Sequence, residues 1–163
     1  NCCNTSYCGW LKNPKQVSCG ELHSCAISNN NVICWGDNSY GQSTVPTSLK
    51  NPKQVSAGTG HTCALDDNGV TCWGDNIYNQ LDVPKSIKNP TQISASDDHT
   101  CVVDNDHAIC WGLNSYGQIR VPLSLLKVKQ VVTGYNYSCA IDDNGVTCWG
   151  DNIWGQAETP QDL

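Results

Sequence analysis

The tripeptide Cys-Trp-Gly occurs four times, beginning at Cys34, Cys72, Cys110 and Cys148, and the interval is always 38 residues. A fixed period of this length marks a repeat architecture, in which each unit buries its faces on its neighbours. A second cysteine stands nine positions before each of these, at Cys25, Cys63, Cys101 and Cys139. Pro46, Pro84, Pro122 and Pro160 keep the same register. Units 12–49, 50–87, 88–125 and 126–163 therefore account for the chain from residue 12 onward. Residues 1–11 form a Cys-rich N-terminal segment.

The second unit shows what one copy can fold into. Residues 54–57, 61–65 and 70–74 are short β-type runs separated by Gly58-Thr59-Gly60 and by Asp66-Asp67-Asn68-Gly69. Gly69 suits a left-handed turn position. Gly, Pro and Asn interrupt every window long enough for a helix. If Asp66–Gly69 closes a hairpin, Leu65 pairs with Val70, Ala64 with Thr71, and Cys63 with Cys72. The two cysteines then lie opposite each other on one face, at a separation that permits a bridge. Trp73 falls on the other face beside Thr62. A sheet apolar on both faces is packed between neighbours. The expected fold is all-β: four tandem three-stranded antiparallel blades forming a propeller-like arc or a small propeller.

The same register predicts four disulfides, Cys25–Cys34, Cys63–Cys72, Cys101–Cys110 and Cys139–Cys148. Cys2, Cys3, Cys8 and Cys19 remain, and are expected either to tie the N-terminal segment to the first unit or to link chains. Twelve cysteines in 163 residues point to an oxidising compartment, hence to a secreted or cell-surface protein. The chain has no Phe and no Met. No signal peptide is visible, so Asn1 is expected to be a processed or excerpted start. No apolar run approaches the ~20 residues of a membrane helix. A net charge of −6 and a single arginine, Arg120, argue against nucleic acid. Asn4-Thr5-Ser6 and Asn136-Tyr137-Ser138 are possible glycosylation acceptors.

The run "HTCALDDNGVTCWGDNIYNQL" from His61 to Leu81, with its counterparts "HSCAISNNNVICWGDNSYGQS" and "YSCAIDDNGVTCWGDNIWGQA", resembles the regulator of chromosome condensation repeat. The match covers essentially all of residues 12–163. The resemblance implies a β-propeller, closer to compact bacterial versions with three-stranded blades than to the longer nuclear repeat. The family usually closes with about seven blades, so four units imply an open arc.

Chemistry-bearing residues are few. His23, His61 and His99 share one slot, which the fourth unit fills with Tyr137. A slot that accepts Tyr is structural rather than catalytic or metal-binding. The Asp-Asp-Asn-Gly turns contain carboxylates but lack the ligand series of a calcium loop. No nucleophile, phosphate-loop or zinc-protease motif occurs. No cofactor, metal site or catalytic residue is expected.

Strand direction sorts the loops onto two rims. The lysines at 12, 15, 50, 53, 85, 88, 127 and 129 fall with the acidic hairpin turns. The opposite rim gathers Asp37, Asn38, Tyr40 and Gln42 from the first unit. Asp75, Asn76, Tyr78 and Gln80 follow from the second, and Asn114, Tyr116 and Gln118 from the third. The fourth contributes Asp151, Asn152, Trp154 and Gln156. Aromatic planes beside amides and carboxylates suit sugars or a polar protein surface. The blander alternative is that the amides satisfy turn backbones and the aromatics fill gaps between blades. The expected function is a secreted, non-catalytic binding or adhesion module for extracellular protein or glycan. Two alternatives stand beside it: a subunit that assembles with itself into a ring or filament, and an inhibitor of an extracellular enzyme.

Overall fold

The computed structural model of the chain describes residues 11–160. Twelve strands form four three-stranded antiparallel sheets, each in sequence order. The first blade is β1 (Pro14–Cys19), β2 (His23–Ser28) and β3 (Asn31–Gly36). The second is β4 (Gln54–Ala57), β5 (His61–Asp66) and β6 (Gly69–Gly74). The third is β7 (Pro90–Ser96), β8 (His99–Asp104) and β9 (His107–Gly112). The fourth is β10 (Gln130–Thr133), β11 (Tyr137–Asp142) and β12 (Gly145–Gly150). Among the described residues there is no helix.

The hairpin register follows the cysteines. Leu65 faces Val70, Cys63 faces Cys72, and Thr62 faces Trp73, with corresponding pairs in the other blades. All four bridges are present within their own hairpins, Cys25–Cys34, Cys63–Cys72, Cys101–Cys110 and Cys139–Cys148. The hairpin turns come in two kinds. Asn29–Asn30 and Asn105–Asp106 place two left-handed residues in succession, the geometry that matches strand twist. In the second and fourth blades Gly69 and Gly145 take the positive φ instead. Cys2, Cys3 and Cys8 and the sequon at Asn4 lie outside the described residues. Cys19 is exposed and has no disulfide partner among the described residues.

The blades stack through sequence neighbours. Strands β1, β4, β7 and β10 touch in succession and line the inner side of the arc. The apolar core is accordingly three slabs between blades rather than one centre. In the first slab, Cys25, Ile27 and Val32 of one blade meet Val55, Ala64 and Trp73 of the next. Cys63 and Leu65 meet Ile93, Val102 and Trp111 in the second slab. Cys101 and Val103 meet Val131, Ala140 and Trp149 in the third. The disulfide face of each blade thus receives the Trp of the following one. A Trp removes on the order of 150–250 Å² from water. At ~25 cal/mol per Å² that stabilises each slab by roughly 5 kcal/mol as an upper bound.

Polar ladders run through the same slabs. The Gln16 amide donates to Val55 O at 3.0 Å and accepts from Val55 N at 2.8 Å. Gln54 does the same with Ile93, and Gln92 with Val131. Ser18, Ser56 and Ser94 accept from Ala57 N, Ala95 N and Thr133 N. The Trp-Gly dipeptide also has a steric reason. Gly74 has φ +111°, and a Cβ there would stand 2.5 Å from Gly60 O. Only glycine fits such an approach.

Among the described residues, the outer face of each end blade is more exposed than its counterparts inside the stack. Trp35 is 38% exposed where Trp73 is 7% exposed, and Val17 is 64% exposed where Val55 is buried. At the other end Ile141 is 41% exposed where Leu65 is 4% exposed.

Candidate functional site

Each third strand runs into a loop organised by its own side chains. Asn38 Oδ1 accepts from Ser43 N at 2.9 Å, while its Nδ2 donates to Thr44 Oγ1. Asn76 and Asn152 repeat this with Leu81 N and Ala157 N. Gln42 Oε1 accepts from Tyr40 N at 2.9 Å and its Nε2 donates to Asp37. Gln80 and Gln118 accept from Tyr78 N and Tyr116 N in the same way. Asp37 sits below the usual carboxylate range because Ser39 and then Gln42 donate to it.

These loops correct part of the expected binding set. Gln42, Gln80 and Gln118 are fully buried, and their amides are consumed: each Oε1 accepts within its loop, while Nε2 donates to Asp37 for Gln42 and to Asp98 and Asn136 of the next blade for Gln80 and Gln118. They shape the rim and cannot meet a ligand. Gln156 makes the same internal bond with Trp154 N. Asn38, Asn76 and Asn152 are exposed but spend their oxygens on backbone. Asn114 is exposed, and Asp37, Asp75 and Asp151 are half-buried. The aromatics are free to act. Tyr40, Tyr78 and Tyr116 are about half exposed, and Trp154 is 89% exposed. Ile77 and Ile153 stand exposed beside them. Sequence reasoning missed both, although an isoleucine where the other units carry Ser39 and Ser115 was a visible signal. The Tyr40 ring overhangs the second blade, since a Cβ on Gly60 would lie 3.5 Å from its Cδ2.

The rim is acidic. Burial raises Asp98 to about 6, reinforced by Asp97, Asp75 and Glu21. Burial, then Glu21, also raises Asp97. Arg120 is the one cation in these loops. The lysines occupy the other rim: Lys53 pairs with Asp67 at 3.0 Å and Lys129 with Asp143 at 2.9 Å.

The histidines belong to the packing. His23, His61 and His99 are buried, with Nε2 at 2.7–2.9 Å from Thr62, Thr100 and Ser138 of the next blade. Burial lowers all three, His61 and His99 to about 4. Trp73, Trp111 and Trp149 each donate Nε1 to the carbonyl of Gln42, Gln80 or Gln118 in the preceding loop. Asn136 is buried, in a left-handed conformation, and accepts from Gln118 Nε2 at 3.0 Å. A glycan on it would require the turn to open. Among the described residues no group of three His, Cys, Asp or Glu side chains is placed to hold a metal. A cavity of about 230 Å³ between β9 and the 121–128 segment is lined by Val121, Pro122, Leu125 and His107 and gathers no set of polar groups. Among the described residues no helix is long and apolar enough to cross a membrane.

Comparison with known proteins gives the same architecture. The regulator of chromosome condensation (RCC1) repeat matches residues 15–42, 53–80, 91–118 and 128–156. No curated protein matches the chain. Human WBSCR16 is similar in structure, with TM-score 0.71 and 24% identity over 84% of this chain and 47% of that one. The ectodomain of the receptor kinase CR4 from Physcomitrella patens has TM-score 0.72 and 26% identity over 86% and 39%. Prp20p from Saccharomyces cerevisiae, whose binding to Gsp1p and histones has been described, has TM-score 0.73 and 18% identity over 85% and 45%. The chain spans less than half the length of these three structures. With four matched repeats, each folded as one three-stranded blade, the chain belongs to the regulator of chromosome condensation repeat family and is a β-propeller-type binding fold.

Proposed function

We propose that the chain is a secreted, non-catalytic binding module whose recognition surface is the aromatic rim. The observation that carries this is the row of exposed Tyr40, Tyr78, Tyr116 and Trp154 on an acidic, lysine-free edge. Exposed aromatic planes are enriched among recognition anchors. Carboxylates beside them favour a partner that brings Lys or Arg, which also sits well over an aromatic face. A basic segment of an extracellular protein therefore fits better than an acidic glycan. Adhesion, or inhibition of an extracellular enzyme, would use this same surface. Four disulfides suit an oxidising environment. The test is the double substitution Tyr78→Ala with Tyr116→Ala, probed against basic peptides, acidic peptides and a glycan array. Lost binding to basic peptides with an unchanged fold supports the rim. Unchanged binding with lowered stability removes it.

A second reading, assembly with copies of itself, is favoured by the more exposed outer faces of the end blades.

A further inference from the structure

The connection between the third and fourth blades breaks the pattern of the lysine rim. Lys12, Lys50 and Lys88 share a slot that Leu126 fills in the last unit, and Leu123 stands where the earlier connections carry Thr47 and Lys85. Neither leucine is buried in exchange: Leu123 is fully exposed and Leu126 is 56% exposed. These slots face solvent inside the stack as well, since Thr47, Lys50, Lys85 and Lys88 are all exposed with a blade on either side.

The leucines are held out rather than left loose. Leu126 N donates to Asp142 Oδ2 at 2.7 Å, and Asp143 N donates to Leu126 O at 2.9 Å. Asn144 Nδ2 donates to Ser124 O at 3.4 Å. Lys50 N makes the first of these bonds with Asp66, so the clamp itself does not call for a leucine. Leu123 also stands on the edge of the cavity lined by Val121, Pro122 and Leu125, and the apolar surface continues inward from it. Cations surround the pair. Lys127 and Lys129 follow directly and share Asp143 at 3.6 and 2.9 Å. Lys85 and Lys88, on the previous connection, have no carboxylate partner among the described residues. Asp104 and Asp142 are buried and accept from the backbone of Lys88 and Leu126, which turns both carboxylates inward. Asp106 is the exposed carboxylate that remains unpaired beside them.

We propose that this part of the lysine rim rests on an anionic lipid surface, with Leu123 and Leu126 entering the headgroup layer and the lysines meeting the phosphates. Peripheral binding grows with buried apolar area and with electrostatic attraction, and both contributions meet at this connection. A lipid surface is the occupant because a fully protruding leucine among lysines needs an acceptor that yields around it and carries negative charge. The acidic loops of the opposite rim are repelled by the same surface, which fixes the orientation. The inference does not rest on the aromatic-rim reading; it leaves that rim turned away from the lipid.

The experiment is co-sedimentation of the full, oxidised chain with phosphatidylcholine vesicles made with and without phosphatidylserine. Binding is expected only where phosphatidylserine is present, and it should fall at high salt. The deciding variant is Leu123→Thr with Leu126→Lys, which writes the Thr47 and Lys50 of the first connection into the third. It is one charge more positive, so adsorption by charge alone would tighten, whereas loss of the leucines should weaken binding at least about tenfold. Lys85→Glu with Lys88→Glu should weaken it about tenfold or more. Non-reducing peptide mapping checks that the four disulfides remain in each variant. A wild type that binds neither vesicle overturns the inference. So does equal binding to both vesicles, or undiminished binding by the leucine variant.

Discussion

His23 Nε2 lies 2.7 Å from Thr62 Oγ1, and the Thr62 hydroxyl lies 2.9 Å from Gln42 O. The threonine has one proton, and the carbonyl can only accept it. His23 must therefore donate from Nε2, which leaves Nδ1 bare. That Nδ1 is buried and unpartnered, as are those of His61 and His99. His99, Ser138 and Gln118 repeat the chain. The tautomer is set by this network, and each histidine is held neutral between two blades.

Acid should consequently loosen the blades. For His61 the cause is burial, then the charges of His99 and His23; for His99 it is burial. Their folded values near 4 lie below the ordinary 6.5, so the unfolded chain takes up protons first. Their contribution is complete above about 6.5 and is lost as pH falls to about 4, at up to roughly 3 kcal/mol for each. Asp98, raised to about 6, acts oppositely: its destabilisation at neutral pH is relieved as pH falls through that value. Urea midpoints at pH 7.5, 5.5 and 4.5 should fall for the wild type. His61→Gln should flatten the slope, and Asp98→Asn should steepen it.

Trp73→Ala should destabilise by about 3–5 kcal/mol, because it empties an inter-blade slab. Trp73→Phe keeps most of the area but loses the bond to Gln42 O, which still accepts from Thr62, for about 1 kcal/mol. Trp35→Ala should cost clearly less in a dilute monomeric chain. Denaturant curves on the three variants check the order.

Gln54→Ala leaves Ile93 N and O without their clasp, at about 1–3 kcal/mol for each group that stays dry. Gln130→Ala is expected within ~0.5 kcal/mol in a dilute monomer, since Gln130 is exposed and clasps no strand among the described residues. Equilibrium unfolding of both at low protein concentration provides the comparison.

Removing one staple with Cys63→Ala and Cys72→Ala should cost more than the ~2–3 kcal/mol expected from closing a ten-residue loop. Cys63 is fully buried against the third blade, so a cavity adds to the lost constraint. Thermal unfolding and peptide mapping of the remaining three bridges test this.

Much of one blade was legible in the sequence. A strand alternates faces with period two, so a cysteine pair across a short turn dictates the register of every residue between them. The packing of Trp73 and the structural role of the histidines followed from position alone. What lay between blades was harder. Gln16, Gln54 and Gln92 act on residues 39 positions away, and a lone polar residue in a β-run does not announce such a partner. Loop amides such as Gln80 read as surface because their neighbours are polar. They are buried because the loop folds over them to satisfy its own backbone.

The placement of the staples separates two kinds of strength. Every disulfide among the described residues closes a single hairpin, and every hydrogen bond between blades joins consecutive ones. Pulled from its ends, such a chain should come apart like beads leaving a string. Blades would detach one after another in a sawtooth of similar peaks. Each released blade would extend short of its full contour by the ten residues locked inside its bridge. A reducing agent would lengthen every step while leaving the spacing of the peaks regular.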